Sequence, residues 1–234
     1  LYDILKKMNQ TNVIRCYDLP LRVLFLKLAI KFGSAKPIKI FNAEHPCVFV
    51  LSTGRSGTAT LTRFFQSADN VLTFHEPYPD LVRLTKFGYQ NYNSPEAIDI
   101  LADTFLAFRE EQLNLALRYG KGYVETGLQC TFLAPAIVKL FPQAKFIHMV
   151  RNPYMVVRSG MRRKWNAAHN LDKFRIFPGR GSPYFEKWDS MDAFEKTIWQ
   201  WAEINSWITN FINTLSDDKK FFLRAEDLFD GDKQ

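Results

Sequence analysis

The chain has 234 residues, of which 47% are hydrophobic and 24% are charged, and 31 Lys and Arg against 24 Asp and Glu give it a net charge of +7. This composition is typical of a globular chain with one sizeable core, and it excludes a mainly disordered or fibrous protein. Because no apolar run reaches the roughly 18 residues that a membrane span needs, we expect no transmembrane segment.

The predicted elements fall into two parts. Residues 1–45, with a short helix over 19–32, are interpreted as an N-terminal helical extension. Residues 46–234 are interpreted as an α/β domain. A helix covering the last predicted strand would be expected near the C-terminus, so we expect the natural chain to continue beyond residue 234.

Short apolar runs alternate with helical patterns in the second part. Residues 47–51 form a continuous apolar run between Pro46 and Ser52, which is typical of a strand buried on both faces of a parallel sheet. Further strands are predicted at 71–74, 122–125, 144–150 and 220–224. Helices are predicted at 58–67, 95–119, 132–140, 154–168 and 190–215. This alternation predicts an α/β fold, with a central parallel sheet flanked by helices.

Positive charge is concentrated in residues 145–180. This segment holds nine basic residues and a single acid, Asp172; the basic residues are Lys145, Arg151, Arg158, Arg162, Arg163, Lys164, Lys173, Arg175 and Arg180. Nine minus one gives +8, more than the excess of the whole chain. An anionic partner, such as an anionic polymer, is therefore expected to meet the protein there.

A glycine-containing loop follows the first predicted strand and opens a helix. Its residues are Thr53, Gly54, Arg55, Ser56, Gly57, Thr58 and Ala59. The glycines allow the backbone to curl around a guest, and the first amides of the helix point at that guest. Together with the Arg55 guanidinium, these groups predict a phosphate or sulfate cradle. The loop is not a Walker A motif, because no Lys follows Gly57.

A second motif follows the strand predicted at 144–150. Arg151, Asn152 and Pro153 end that strand and begin a helix, and Ser159 comes eight residues after Arg151. A third motif, His75-Glu76-Pro77, lies just beyond the strand predicted at 71–74. The carboxyl ends of parallel strands are where open α/β sheets bind their ligands.

These motifs resemble those of the sulfotransferases that use 3′-phosphoadenosine 5′-phosphosulfate (PAPS). The first loop is similar to the family's 5′-phosphosulfate loop, and Arg151 with Ser159 is similar to its 3′-phosphate motif. The Arg-Ser-Gly form of the loop and the Glu76-Pro77 pair are closest to the carbohydrate and tyrosylprotein branches. A weaker match is the Glu-Asp-Leu of residues 226–228. The resemblance implies a fold like that of the P-loop nucleotide hydrolases.

The resemblance also implies the reaction and the roles of the site residues. The chain would transfer a sulfuryl group in line from PAPS to an acceptor hydroxyl, on a saccharide, and release PAP (3′-phosphoadenosine 5′-phosphate). Arg55 would stabilise charge at the sulfuryl end, while Arg151 and Ser159 would hold the 3′-phosphate.

Three residues are candidates for the base that takes the acceptor proton. Glu76 is the first choice, because the family's Glu occupies this position. His75 competes, since imidazole titrates near neutrality without any shift. If the strand extended through both residues, alternation would send them to opposite faces, and only one would reach the cleft. Glu125 is the third candidate. Its alternative, purely structural role is to form an ion pair with a nearby Arg. His148, inside an apolar run, is interpreted as a core histidine.

Two other classes of function remain open. One is a phosphotransferase with a degenerate nucleotide loop, and the other is a non-catalytic binder of anionic polymer through residues 145–180. We expect no metal, because no His, Asp or Glu cluster has metal-ligand spacing and the cysteines, Cys16, Cys47 and Cys130, lack it too. No nucleic-acid partner is expected. The expected location is the cytoplasm, or the Golgi lumen if an upstream anchor has been removed.

Overall fold

The computed structural model describes residue 41 and residues 45–230. Apart from residues 41 and 45, the predicted extension over 1–45 and its helix at 19–32 lie outside the described residues. The boundary after residue 45 and the continuation beyond residue 234 therefore stay predictions.

Five parallel strands form one sheet with the order β2-β3-β1-β4-β5. The strands are β1 (Cys47–Ser52), β2 (Val71–His75), β3 (Gly122–Thr126), β4 (Lys145–Val150) and β5 (Lys220–Arg224). The central strand β1 is buried except at Val48, which explains its continuous apolar run. The predicted parallel sheet is confirmed, and each strand lies within one residue of its predicted bounds.

Seven α-helices occur in the described part of the chain. They are α1 (Thr58–Gln66), α2 (Thr85–Asn91), α3 (Pro95–Arg118), α4 (Ala134–Leu140), α5 (Pro153–Arg162), α6 (Ala193–Ile212) and α7 (Ala225–Asp230). Local capping sets the start of α3, where the Ser94 side chain accepts a hydrogen bond from the Ala97 amide and Pro95 occupies the first turn. None of these helices is long and apolar enough to cross a membrane.

The predicted helix over 154–168 is too long at its C-terminal end. Helix α5 ends at Arg162, because Lys164 and Asn166 both adopt positive φ angles that no α-helix contains. The carbonyl of Gly160 accepts hydrogen bonds from the amides of both Arg163 and Trp165, which closes the helix. As a result Trp165 packs back against Gly160 of α5 instead of extending along a helix.

The sheet is covered on both faces. The larger apolar cluster contains Phe49 and Phe146 of the sheet together with side chains of α3, α4 and α6. The Phe49 ring centroid lies 5.8 Å from that of Phe105 and 5.9 Å from that of Phe146. A smaller cluster packs Val50 and Met149 against Leu61 of α1 on the other face. This sandwich fixes the strand ends that carry the predicted motifs.

Candidate functional site

The carboxyl ends of β1, β2 and β4 open into one cavity of about 460 Å³, here called the strand-end cavity. Nine of the predicted site residues line it: Thr53, Gly54, Arg55, Gly57, Thr58, Ala59, His75, Glu76 and Arg151. The other two, Ser56 and Ser159, are not part of the lining, but Ser56 belongs to the same loop and Ser159 contacts Arg55. The tertiary structure thus brings together three motifs that are far apart in the sequence.

The loop between β1 and α1 is shaped for an anion. Gly54, Arg55 and Gly57 adopt positive φ angles of 75°, 57° and 96°. A Cβ atom at Gly54 would lie 2.7 Å from Leu128 Cδ2, so a larger residue there would have to displace that side chain and adopt a strained backbone. The first amides of α1 have no partner within the helix, and within the described residues no backbone hydrogen bond uses those of Ser56, Gly57 and Thr58. They are available to a bound oxyanion.

The Ser56 side chain adds a further donor to this loop. Ser56 is fully buried, and within the described residues its hydroxyl has no hydrogen-bond partner. A buried polar atom without a partner costs free energy unless a ligand or water satisfies it. The loop therefore fits a phosphate or sulfate group, as its sequence predicts.

Two arginines and a serine from separate motifs are in direct contact. Arg55 Nε donates to Ser159 Oγ at 3.0 Å, and Arg151 Nη1 donates to the Arg55 carbonyl oxygen at 3.0 Å. Burial, followed by the nearby charges of Arg163 and Arg151, lowers the pKa of Arg55, while Glu76 opposes the shift. Arg55, predicted for one end of the ligand, thus contacts Ser159, predicted for the other end. An anion bound here would relieve the repulsion between the arginines.

The Arg151-Asn152-Pro153 motif after β4 is held in place by hydrogen bonds to its backbone and to the Asn152 side chain. Asn152 caps α5 by accepting from the Tyr154 amide at 2.9 Å, and its own amide donates to Glu226 Oε1 at 2.9 Å. Burial opposes the charge on Glu226, but this amide and the neighbouring arginines hold its pKa below the usual range. Trp201 Nε1 donates to the Arg151 carbonyl oxygen at 3.1 Å. Glu226, within the weak match at residues 226–228, therefore holds the Asn152 backbone next to Arg151.

His75 and Glu76 both line the strand-end cavity. The argument that alternation would separate them does not apply, because β2 ends at His75 and Glu76 adopts a positive φ of 44°. The Glu76 amide still donates to the Thr126 carbonyl oxygen at 3.1 Å. Left-handed backbone is costly for a residue with a side chain, and such strain is often found at functional sites.

A glycine that the sequence analysis did not single out makes room for Glu76. Gly127 has a φ of 134°, and a Cβ atom on it would lie 2.5 Å from Glu76 Cγ and 3.0 Å from Glu76 Oε1. Any side chain at position 127 would displace the Glu76 carboxylate. The available signal was a glycine two residues after the strand predicted at 122–125, since a glycine near a strand end often marks a close approach.

A chain of hydroxyl groups determines which nitrogen of the neutral His75 ring carries its proton. The Thr62 hydroxyl donates to the Thr58 carbonyl oxygen at 2.7 Å, so its 2.6 Å contact with Thr126 must use the hydrogen of Thr126. Thr126 Oγ1 must then accept from His75 Nδ1, 3.0 Å away. Donor counting thus assigns the neutral ring a proton on Nδ1 and leaves Nε2 able to accept one.

Glu125, the third candidate base, is part of a buried ion pair. It is 1% exposed, and its two oxygens accept from Arg109 Nε and Nη2 at 2.9 and 2.8 Å, while the Tyr123 hydroxyl donates at 2.6 Å. Burial alone would lower the pKa of Arg109, but the charge of Glu125 raises it. Glu125 does not line the strand-end cavity, and its structural interpretation holds.

The structure also decides the interpretation of two aromatic residues. His148 is buried with its Nε2 atom 3.1 Å from Asn205 Oδ1, as expected of a core histidine, and burial lowers its pKa. Trp165 is 7% exposed and lines the strand-end cavity, with the Arg175 guanidinium 4.0 Å from its ring centroid. Trp165 is therefore part of the cavity wall and not a solvated helix end.

No group of three or more His, Cys, Asp and Glu side chains in the described part of the chain is arranged to hold a metal ion. The two cysteines described, Cys47 and Cys130, are buried thiols. Burial raises the pKa of both thiols, so neither is poised to act as a thiolate.

Two comparisons of sequence bear on this site. A family profile described as "Sulfotransferase family" matches residues 46–205, which is more than half of the chain. The matched range includes the loop after β1, the His75-Glu76 pair and the Arg151 motif. No curated protein sequence gives a significant match.

Solved structures with a similar fold are sulfotransferases. The sulfotransferase domain from the curacin biosynthetic pathway is 18% identical, with 81% of this chain and 70% of that chain covered, and its TM-score is 0.52. The sulfotransferase domain from the Synechococcus PCC 7002 olefin synthase is 18% identical, with 83% of this chain and 71% of that chain covered, and its TM-score is 0.47. A sulfotransferase from Alicyclobacillus acidocaldarius is 12% identical, with 79% of this chain and 75% of that chain covered, and its TM-score is 0.46. The first of these likenesses, together with the family match, confirms the predicted fold.

Proposed function

The chain belongs to the sulfotransferase family of enzymes, and on that premise we propose that it transfers a sulfuryl group from PAPS to the hydroxyl of a carbohydrate. The observation that carries the choice of donor is the contact between two anion-binding motifs at one cavity. PAPS supplies the activated sulfuryl group and carries phosphate at both ends of its ribose. A cavity built from the loop after β1 and the arginine after β4 suits that charge pattern.

In this proposal the loop after β1 binds the phosphosulfate end. Its backbone amides donate hydrogen bonds to oxyanions without reorganising, which is the main source of electrostatic catalysis. Arg151 and Ser159 bind the 3′-phosphate. Arg55, which already contacts Ser159, supplies positive charge where negative charge develops during transfer.

Glu76 is proposed as the base. Its carboxylate takes the proton of the acceptor hydroxyl as that oxygen bonds to sulfur and the bond from sulfur to the leaving oxygen breaks. The strained backbone of Glu76 and the space left by Gly127 support this role. His75 is the alternative base, because the Thr126 contact leaves its Nε2 atom unprotonated in the neutral ring. The general base of an enzyme contributes about 10²–10⁴-fold to rate.

The carbohydrate acceptor rests on the form of two motifs. The loop carries Arg55-Ser56-Gly57, and Glu76 is followed by Pro77, as in the carbohydrate and tyrosylprotein branches that the sequence resembles. For a phosphotransferase, by contrast, the position after Gly57 holds Thr58 where a nucleotide loop has Lys.

An acceptor screen tests the proposal. Purified protein is incubated with PAPS and a library of saccharides, tyrosyl peptides and lipid alcohols, and the products are analysed by mass spectrometry. We expect saccharides to gain the mass of one sulfuryl group and PAP to appear in equal amount. Sulfation of peptides alone would refute the acceptor class, and PAP release without any sulfated product would refute the transfer.

A further inference from the structure

A second cavity lies beside the strand-end cavity. It has a volume of about 550 Å³ and is formed mainly by residues 166–177 together with side chains of α2 and α6. The two cavities share His169, Arg175, Ile176 and Gln200 in their walls. A molecule long enough to pass this wall could occupy both.

Three lysines around the second cavity face aromatic rings and not carboxylates. The Nζ atoms of Lys86, Lys173 and Lys196 lie 4.4, 5.1 and 5.5 Å from the ring centroids of Phe177, Phe174 and Trp188. Within the described residues, none of the three makes a salt bridge. Their positive charges are therefore not neutralised by an ion pair with a described carboxylate, and each lies beside an aromatic ring.

The acid in the wall does not balance this charge. Asp172 accepts from Arg175 Nε at 2.8 Å and from the amides of Asn166 and His169 at 3.0 and 2.9 Å. The Asp172 carboxylate is thus paired with Arg175 and with two backbone amides, and not with any of the three lysines. The three lysines keep an uncompensated positive charge around the second cavity, which attracts anions.

The floor of the second cavity is fixed by a polar network. Asn166 Nδ2 donates to Thr197 Oγ1 and to Gln200 Oε1, both at 3.0 Å, and Gln200 Nε2 donates to the Ile176 carbonyl oxygen at 2.9 Å. These hydrogen bonds tie the segment after α5 to α6. The segment that carries Lys173 is therefore fixed against the helix that carries Lys196.

We propose that the second cavity binds an acidic saccharide, and that it does so as part of the acceptor. This inference rests on the proposed sulfotransfer and names the acceptor as one that carries carboxylate or sulfate groups beside the reacting sugar. The position of Lys86 supports this role. It lies on α2, the first α-helix after the candidate bases at the end of β2, whereas Arg151 and Ser159 follow β4 on the other side of β1. The rings of Phe177 and Trp188 lie in the same lining, each with a lysine ammonium beside it, so a sugar bound there would meet an aromatic ring and a positive charge together.

Binding of tetragalacturonate, with its fully methyl-esterified form as the neutral probe, tests the proposal. The variant Lys86→Gln/Lys173→Gln/Lys196→Gln removes three charges from the cavity. Its matched control, Arg118→Gln/Lys121→Gln/Lys219→Gln, removes three charges just before β3 and β5, at the opposite edge of the sheet from the two cavities. Calorimetry measures the affinity of each protein for both probes and for PAP, and thermal unfolding confirms that each is folded.

We expect the wild type and the control to bind tetragalacturonate alike, and the cavity variant to bind it at least about tenfold more weakly, a modest loss for three charge-assisted contacts. The neutral probe should bind all three proteins equally and more weakly. Equal losses in the variant and the control, or no preference for the acidic probe, would overturn the proposal. Displacement of bound tetragalacturonate by an equal concentration of inorganic sulfate would overturn the assignment of the ligand as a saccharide.

The two proposals can fail separately. Unchanged PAP affinity in the cavity variant, together with a loss of tetragalacturonate affinity, supports the second cavity whatever the acceptor screen shows. Failure of the wild type to bind PAP would refute the proposed donor and leave the saccharide measurement to be judged on its own.

Discussion

His75 Nδ1 lies 3.0 Å from Thr126 Oγ1, at the point where β2 and β3 end side by side. Because the Thr126 hydrogen is used by Thr62, the contact keeps the His75 proton on Nδ1 and leaves Nε2 free to accept one. The next residue, Glu76, turns into the same strand-end cavity. Two groups able to accept a proton therefore stand together beside the anion-binding loop.

Thr126→Val is predicted to change the tautomer of His75. Valine keeps the shape of the side chain but cannot accept the Nδ1 hydrogen, so the neutral ring should move toward its Nε2-protonated form. Nitrogen NMR of labelled imidazole measures this. Thr73→Val on β2 is the control, because the buried Thr73 hydroxyl has no partner among the described residues. An unchanged His75 tautomer in Thr126→Val would contradict the donor assignment.

Glu76→Gln is predicted to slow turnover by about 10²-fold or more, while PAP affinity stays within a few-fold of the wild type. Glutamine keeps the shape of the side chain and removes the group that accepts the proton. The pH–rate profile should lose its acidic limb. Near-normal turnover in this variant would exclude Glu76 as the base and move the assignment to His75.

Gly127→Ala is predicted to lower turnover by displacing Glu76, since the new Cβ atom would lie 2.5 Å from Glu76 Cγ. PAP affinity should be unaffected because position 127 does not line the anion-binding loop. Gly120→Ala is the control. Gly120 also has a positive φ, of 61°, but a Cβ atom there meets nothing within 4 Å.

Both glycine variants should lose some stability, by about 1 kcal/mol or more for forcing a side chain into left-handed backbone. Only Gly127→Ala should also lose turnover when measured well below its unfolding temperature. Equal activities in the two variants would show that Gly127 does not position Glu76.

Arg55→Ala and Arg151→Ala are predicted to differ in what they weaken. Arg55→Ala should mainly reduce the transfer rate, and Arg151→Ala should mainly reduce PAP affinity, each by about 1.5–3 kcal/mol for a lost charge-assisted contact. Because Arg55 also donates to Ser159, its removal should weaken PAP binding to a smaller degree. Arg118→Ala, at the exposed end of α3, is the control. PAP affinities like that of the wild type in both site variants would contradict the roles proposed for the two arginines.

The sequence predicted the elements that depend on local pattern. The apolar run of β1, the glycines of the following loop and the Pro153 start of α5 each act through neighbouring residues, and the structure confirms these elements. The end of α5 was missed, because the positive φ angles of Lys164 and Asn166 are not signalled by glycine.

Contacts between distant residues could not be predicted. The hydrogen bond from Arg55 to Ser159 spans 104 positions, and the one between Thr62 and Thr126 spans 64. The sequence analysis placed His75 and Glu76 on opposite faces of the sheet if the strand extended through both residues. Whether it does depends on where β2 ends, and only the packed structure defines that end. The partner of Glu125, Arg109, likewise lies on a helix whose register the pattern alone does not fix.

Titration calorimetry with PAP in the presence of EDTA tests the central claim most directly. The strand-end cavity offers backbone amides and two arginines to the two phosphate groups, so the account predicts tight, saturable binding of PAP without a metal ion. It also predicts that ATP with Mg²⁺ binds much more weakly. Absence of PAP binding, or tight ATP binding that requires Mg²⁺, would contradict the account.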